Sequence, residues 1–272
     1  MNKISIFLLR ARYVLEKERR KRYPRMCDTI HIPHKQQVGM IAHRGVSGIA
    51  TENTLAAFEA AGTRTYFGIE TDVHRTKDGK FVVFHDDTLK RLAGRNLTVE
   101  ETDFETLQAV NLFETRFYKS DDTRISKGGI PTLADYIAVC KQYDKTAVLE
   151  LKNHFEKADI VAIMQEIAAQ DWLSRTIFIS FDFENLVFVR ETDATATVQF
   201  LTGEVDNFDT LLDKLEQHRF DWDAYHPTVT KTLVDTCHKR GIKVNVWTVD
   251  EAAVAKRLIK MGVDYITSDI LE

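Results

Sequence analysis

From residue 38 to its end the chain repeats one pattern: a short apolar, β-rich run, an amphipathic stretch of helical period, a glycine stop, then another apolar run. No other feature restricts the fold as much. A period of roughly 20–30 residues is that of a βαβ unit. The strand candidates are 38–42, 66–73, 81–84, 147–151, 176–181, 196–201, 223–226, 243–249 and 264–267. Runs such as AVLEL and TIFIS are apolar at nearly every position, which suits a parallel sheet covered on both faces.

The helical stretches carry their own punctuation. TENTLAAFEAAG puts Ala56, Ala57, Ala60 and Ala61 on one side and stops at Gly62. Thr132 with Asp135 three residues on resembles a capping box. Asp250 is the expected N-cap of the last helix, and Gly241 and Gly262 close the last two. The expected architecture is an α/β fold, a (β/α)8 barrel of the TIM type. No G-x-G-x-x-G follows the first strand, so the usual dinucleotide site of an open doubly wound sheet is missing.

Nine strand candidates compete for eight barrel places. The stretch TDVHRTKDGKFVVFHDD resolves this, because Asp78-Gly79 is a hairpin turn signal and no helix fits between the flanking runs. Residues 81–84 are therefore expected to fold back antiparallel on 72–76, bringing His85 towards Glu70 and Asp72. Residues 86–130 follow as a polar, irregular stretch, expected to form an inserted loop or small lobe over the site.

The barrel is expected over residues 37–272, preceded by a basic amphipathic helical segment at 1–36. Residues 1–25 hold nine Lys and Arg against Glu16 and Glu18, a balance of +7, while the whole chain has a net charge of −4. The remainder is thus acidic, which argues against a nucleic-acid partner. The apolar run Ile4–Leu9 is too short to span a bilayer, and no small-residue cleavage site follows it. The segment has two readings: a helix docked on the barrel or on a second copy in a homodimer, or an interfacial helix making peripheral contact with an anionic membrane. Cys27, Cys140 and Cys237 lack metal-type spacing and read as reduced thiols, consistent with a cytoplasmic protein that is membrane-associated only through this segment.

In such a barrel, side chains at the C-terminal strand ends converge on one mouth. The first strand delivers His43 and Arg44, the second Glu70 and Asp72, the hairpin His85, and the fourth run Glu150 and Lys152. Glu70 and Asp72 are two residues apart and share a strand face, as do Glu150 and Lys152. Three carboxylates at one mouth repel one another unless a cation intervenes. A hard divalent ion with oxygen ligands, Mg2+ or Ca2+, fits them better than zinc. Arg44 and Lys152 add fixed positive charge, and with a metal they are suited to hold a phosphate. His43 and His85 are the members of this set that exchange protons near neutral pH. Hydrolysis of a phosphodiester needs two such groups, one to activate a nucleophile and one to protonate the leaving oxygen.

The pieces IAHRGVSGIATENTLAAFEAA, GIETDVHRTKDGKFVVFHDDTLKR, GIPTLADYI, VLELK, ISF, VNVWTVD and GVDYITSD together resemble the glycerophosphodiester phosphodiesterase family, in the family's order over residues 40–269. The resemblance implies a TIM-type barrel with a small insertion, and metal-dependent hydrolysis of glycerophosphodiesters to sn-glycerol 3-phosphate and an alcohol. It implies His43 and His85 as the catalytic histidine pair and Arg44 as a phosphate contact. Glu70, Asp72 and Glu150 become the metal carboxylates and Lys152 a phosphate-facing lysine. Trp247 lines the substrate pocket, and Glu52, in the ENT motif, supports the site by hydrogen bonding. Thr51 stands where the family usually has proline, and the usual proline after Asp269 is absent. A membrane-associated lysophospholipase D-type enzyme and a non-catalytic glycerophosphodiester-binding barrel are the rival expectations. The head group, the native metal and the assignment of acid and base between the histidines stay open at this level.

Overall fold

The computed structural model describes residues 28–33, 38–113 and 129–272. The N-terminal amphipathic helix and its membrane or dimer contacts were expected at residues that lie outside this range, as does Gly128.

Eight parallel strands close into a barrel: β1 (Gly39–Ala42), β2 (Gly68–Arg75), β4 (Thr146–Leu151), β5 (Thr176–Ser180), β6 (Thr197–Thr202), β7 (Asp221–Tyr225), β8 (Val244–Trp247) and β9 (Tyr265–Ser268). β1 pairs with both β9 and β2, which leaves the barrel no edge. The ninth run, β3 (Phe81–Val83), is no barrel stave. It folds back antiparallel on β2, with Val73 opposite Val83 and Arg75 opposite Phe81, as the Asp78-Gly79 turn predicts.

Strand parity decides what enters the barrel. In β4, Ala147, Leu149 and Leu151 face the outer helices, and Val148 joins Ile41, Ile177, Ile179 and Leu201 in the inner core. Glu150 shares the face of Val148 and therefore points inward, one layer nearer the mouth. In β2, Ile69 and Val73 belong to the outer layer, so Glu70 and Asp72 face inward as well. Truncating a fully buried inner residue such as Ile41 to alanine should cost about 2–5 kcal/mol of stability.

The outer helices that complete the βα repeat are α1 (Leu55–Gly62), α4 (Leu133–Gln142), α5 (Lys157–Ala168), α6 (Phe183–Thr192), α7 (Phe208–His218), α8 (Lys231–Lys239) and α9 (Ala252–Met261). Thr132 and Asp135 form the expected reciprocal capping box on α4. Gly262 ends α9 in the left-handed conformation. The N-cap of α9 is Glu251 rather than Asp250. Asp250 accepts hydrogen bonds from Ser268 Oγ and the Asp269 amide, because that buried loop has polar groups to satisfy.

Between β3 and α4 the chain builds a small lobe with two short helices, α2 (Lys90–Ala93) and α3 (Phe104–Gln108). Val82, Phe84, Leu89, Leu92, Val99 and Leu107 form an apolar cluster separate from the barrel cores. At the other end of the chain, Ile30 pairs in parallel with Leu271, and the Ile32 side chain is buried. Residues 28–33 thus lie against the C-terminal residues. Cys140 and Cys237 are buried free thiols.

Candidate active site

The chain turns sharply as it leaves β1. Arg44 and Gly45 are both left-handed, with φ of 54° and 74°. This turn aims the Arg44 amide at Glu70 Oε2 (2.8 Å) and the Gly45 amide at the Glu70 carbonyl (3.2 Å). At Gly45 a Cβ would lie 2.6 Å from the backbone of Ala57, so only glycine permits this approach of the turn to α1. The abrupt HRG ending of an apolar strand is therefore a device for bringing the first loop onto the second strand.

β2 and β4 supply the carboxylates. Asp72 lies directly opposite Glu150 in the parallel register, with Glu70 two residues nearer the barrel floor. One oxygen from each of Glu70, Asp72 and Glu150 lies within 4.8 Å of the others. All three are buried. Burial, then the charges of Asp72 and Glu150, hold the Glu70 carboxyl well above the usual carboxylate range. Lys152 Nζ is 2.8 Å from Glu150 Oε1 and 3.4 Å from Asp72 Oδ1. Asp72 Oδ1 accepts no hydrogen bond among the described residues, and Asp72 Oδ2 accepts one from Asn53 Nδ2 at 2.8 Å. Crowded, buried oxygen donors with a raised carboxyl pKa and an oxygen outside the hydrogen-bond network are what a hard divalent ion fits.

Each histidine is held by a carboxylate. His43 Nδ1 is 2.7 Å from Asp269 Oδ1, which also accepts from Ser47 Oγ at 2.7 Å. His43 Nε2 lies 3.9 Å from Glu70 Oε2. His85 Nδ1 is 2.7 Å from Asp86 Oδ1. An ionised carboxylate only accepts, so in both rings the proton sits on Nδ1 and the tautomer is fixed.

The structure brings the expected residues to one end of the barrel. His43, Arg44, Glu52, Glu70, Asp72, Glu150 and Lys152 are joined by direct contacts, including Arg44 Nη1 to Glu52 Oε1 at 2.7 Å and Arg44 Nε to Asp72 Oδ2 at 3.5 Å. His85 follows β3, which is paired to β2 beside Asp72. Trp247, at the end of β8, belongs to an aromatic group on the same rim, edge-on to Phe181 at 5.6 Å and 5.7 Å from Tyr225.

Sequence reasoning passed over Asp86, Asp269 and Asn53 as site residues. Asp269 follows the last barrel strand, so the strand-end rule that found His43 would have found it too. Asp86 is adjacent to His85, a spacing that carries little signal. His74 is fully buried with Nδ1 3.0 Å from Glu100 Oε1, pinning β2 to the lobe.

Residues 43–272 match the model of the Glycerophosphoryl diester phosphodiesterase family. A glycerophosphodiester phosphodiesterase of Caldanaerobacter subterraneus subsp. tengcongensis is 31% identical over 242 residues, covering 85% of this chain and 93% of the relative. A phosphodiesterase of Oleispira antarctica, solved with the product sn-glycerol-3-phosphate, superposes with a TM-score of 0.74 at 26% identity, covering 85% of this chain and 92% of that one. The glycerophosphodiester phosphodiesterase of Thermotoga maritima gives a TM-score of 0.69 at 26% identity, with 87% and 96% covered.

Proposed function

The chain belongs to the glycerophosphoryl diester phosphodiesterase family, and on that premise we propose that it hydrolyses glycerophosphodiesters to sn-glycerol 3-phosphate and an alcohol by general acid–base catalysis between His43 and His85. The observation that carries this reading is the meeting of Glu70, Asp72 and Glu150 within 4.8 Å beside a carboxylate-oriented His43.

The three carboxylates are the residues that would hold a divalent ion, Mg2+ or Ca2+, which when bound supplies positive charge to a phosphate oxygen. The rest of the chemistry belongs to the chain. With Nδ1–H of each imidazole tied to a carboxylate, Nε2 is the nitrogen that exchanges protons. One histidine takes a proton from the attacking oxygen as it bonds to phosphorus; that oxygen belongs to water, or to the substrate's own neighbouring hydroxyl, in which case water then opens the cyclic phosphate. The other gives a proton to the alcohol oxygen as its bond to phosphorus breaks. Arg44 and Lys152 meet the negative charge that builds on the phosphoryl oxygens. Trp247 borders the pocket for the organic part of the substrate. Glu52 supports Arg44 by accepting from its Nη1.

The test is product release from glycerophosphocholine, glycerophosphoethanolamine and glycerophosphoglycerol. Glycerol phosphate should appear, stop with EDTA, and return with Mg2+ or Ca2+. His43→Ala and His85→Ala should each lower the rate by about 10²–10⁴-fold. Turnover indifferent to EDTA, or an alanine variant with near-parental rate, would count against the corresponding part of the scheme.

A further inference from the structure

The lobe between β3 and α4 contributes one side chain to the site that the catalytic scheme does not use. Arg91 sits on α2, whose neighbours Leu92 and Ala93 are buried in the lobe's apolar cluster. Gly94 closes this helix in the left-handed conformation, its amide on the Lys90 carbonyl at 3.1 Å. The backbone that carries Arg91 is thereby anchored in the lobe.

The guanidinium meets two carboxylates at once. Its Nε and Nη2 donate to Asp86 Oδ2 and Oδ1 at 2.7 and 2.9 Å. Its Nη1 and Nη2 donate to Glu52 Oε2 and Oε1 at 2.8 and 2.7 Å. Each pair is bidentate, the geometry that a planar fork provides and a lysine does not. These are not solvated surface pairs, since the Glu52 side chain is 2% exposed and that of Arg91 18%. Burial opposes the charge on Arg91, but hydrogen bonds and charge from Glu52 and then Asp86 outweigh it and raise its pKa. It stays a cation at any working pH.

The two carboxylates lead to different parts of the chemistry. Asp86 Oδ1 holds His85 Nδ1, and Glu52 Oε1 holds Arg44 Nη1, each at 2.7 Å. We propose that Arg91 is a positioning residue for the hydrolysis: one guanidinium, supplied by the lobe, sets the proton-transfer imidazole and the phosphate-facing arginine in a common frame. Both must reach the same phosphodiester, one at a phosphoryl oxygen and the other at the attacking or leaving oxygen, and separate supports would let their spacing vary. An error of an ångström in such spacing is costly to rate. The lobe is then part of the catalytic apparatus rather than a cover. This rests on the phosphodiesterase reading for its kinetic consequence, though not for the geometry.

The test compares the parent, Arg91→Met, Arg91→Lys and Asp86→Asn in full-length protein, by steady-state kinetics on glycerophosphocholine with Mg2+ or Ca2+ and by the His85 Nδ1–H proton resonance. Arg91→Met should lower kcat about 10–100-fold, with KM within about threefold and the His85 resonance shifted or lost. Arg91→Lys, which cannot form either bidentate pair, should lose about tenfold. It carries the test if the methionine variant does not fold. In an Asp86→Asn background the Arg91→Met factor should shrink, because part of the relay is already cut. Kinetics within threefold of the parent, or an undiminished factor in that background, would overturn the proposal. A parent inactive on every glycerophosphodiester sinks the phosphodiesterase reading instead. The His85 resonance then still decides the role of Arg91, since an unchanged signal in Arg91→Met removes it.

Discussion

Two groups of carboxylates, buried except for the half-buried Asp86, share the mouth of this barrel, and they differ in how their charge is met. Glu52 and Asp86 are gripped by Arg91, and Glu52 also by Arg44. Glu70, Asp72 and Glu150 crowd within 4.8 Å, facing one lysine and the flank of an arginine whose Nη1 is engaged by Glu52. A balanced buried pair has its charge solvated by the protein and holds a geometry. An excess of buried negative charge needs something added, a cation or a proton, and burial with the charges of Asp72 and Glu150 raises the Glu70 pKa accordingly. The same side-chain type therefore serves as frame in one group and forms the proposed ion-binding set in the other.

The same substitution in the two groups should have opposite effects on stability. Glu70→Gln removes a proposed ligand for the divalent ion and should cost activity about 10³-fold or more, roughly 4 kcal/mol, in steady-state assays with saturating ion. In metal-free protein at pH 8 it should not destabilise, and melting should occur at or above the parent's temperature, because glutamine removes a group that must either stay protonated or carry a repelling charge beside Asp72 and Glu150. Glu52→Gln should do the reverse to stability, costing about 3 kcal/mol in a denaturant titration, since it leaves the buried Arg44 and the half-buried Arg91 without their shared carboxylate. A Glu52→Gln variant as stable as its parent would break the comparison.

Asp269→Asn addresses the support of His43 and should sharpen it. Asparagine keeps the shape but does not anchor the imidazolium, so kcat should fall about 10–100-fold, or 1.4–2.7 kcal/mol, with ion affinity unchanged by calorimetry. A further effect is expected on pH dependence. Glu70 keeps in the folded state a proton that the unfolded chain has lost, so its contribution to stability is fully present below the ordinary carboxylate range. That contribution fades as pH rises through the interval up to the folded pKa, by at most about 1.4 kcal/mol per pH unit. Metal-free protein should therefore lose stability on going from pH 5 to pH 8, and Mg2+ or Ca2+ should restore it. Glu70→Gln should flatten the slope, whereas Arg91→Met should not.

Much of this molecule is legible in the chain before it folds. The strand candidates fall within two residues of the observed strands, because an apolar run between a glycine and a capped helix has few other uses. The hairpin that removes β3 from the barrel follows from Asp78-Gly79 and a gap too short for a helix. His43, Arg44, Glu70, Asp72, Glu150 and Lys152 are identifiable from strand ends alone, since period-two alternation and the parallel barrel send them to one mouth.

What the sequence by itself determined, then, is which side chains arrive at the mouth, because strand parity and barrel closure are set by local patterns repeated along the chain. Only the tertiary structure decided how those side chains are paired. That Asp269 takes His43, that Asp250 supports the Asp269 amide, and that Arg91 of the lobe binds Glu52 across 39 positions are all outcomes of which charges share the same buried space. Hydrogen-bond partners are chosen by distance in a medium that leaves no polar group to water, and distance across the chain is not written in any short stretch of it.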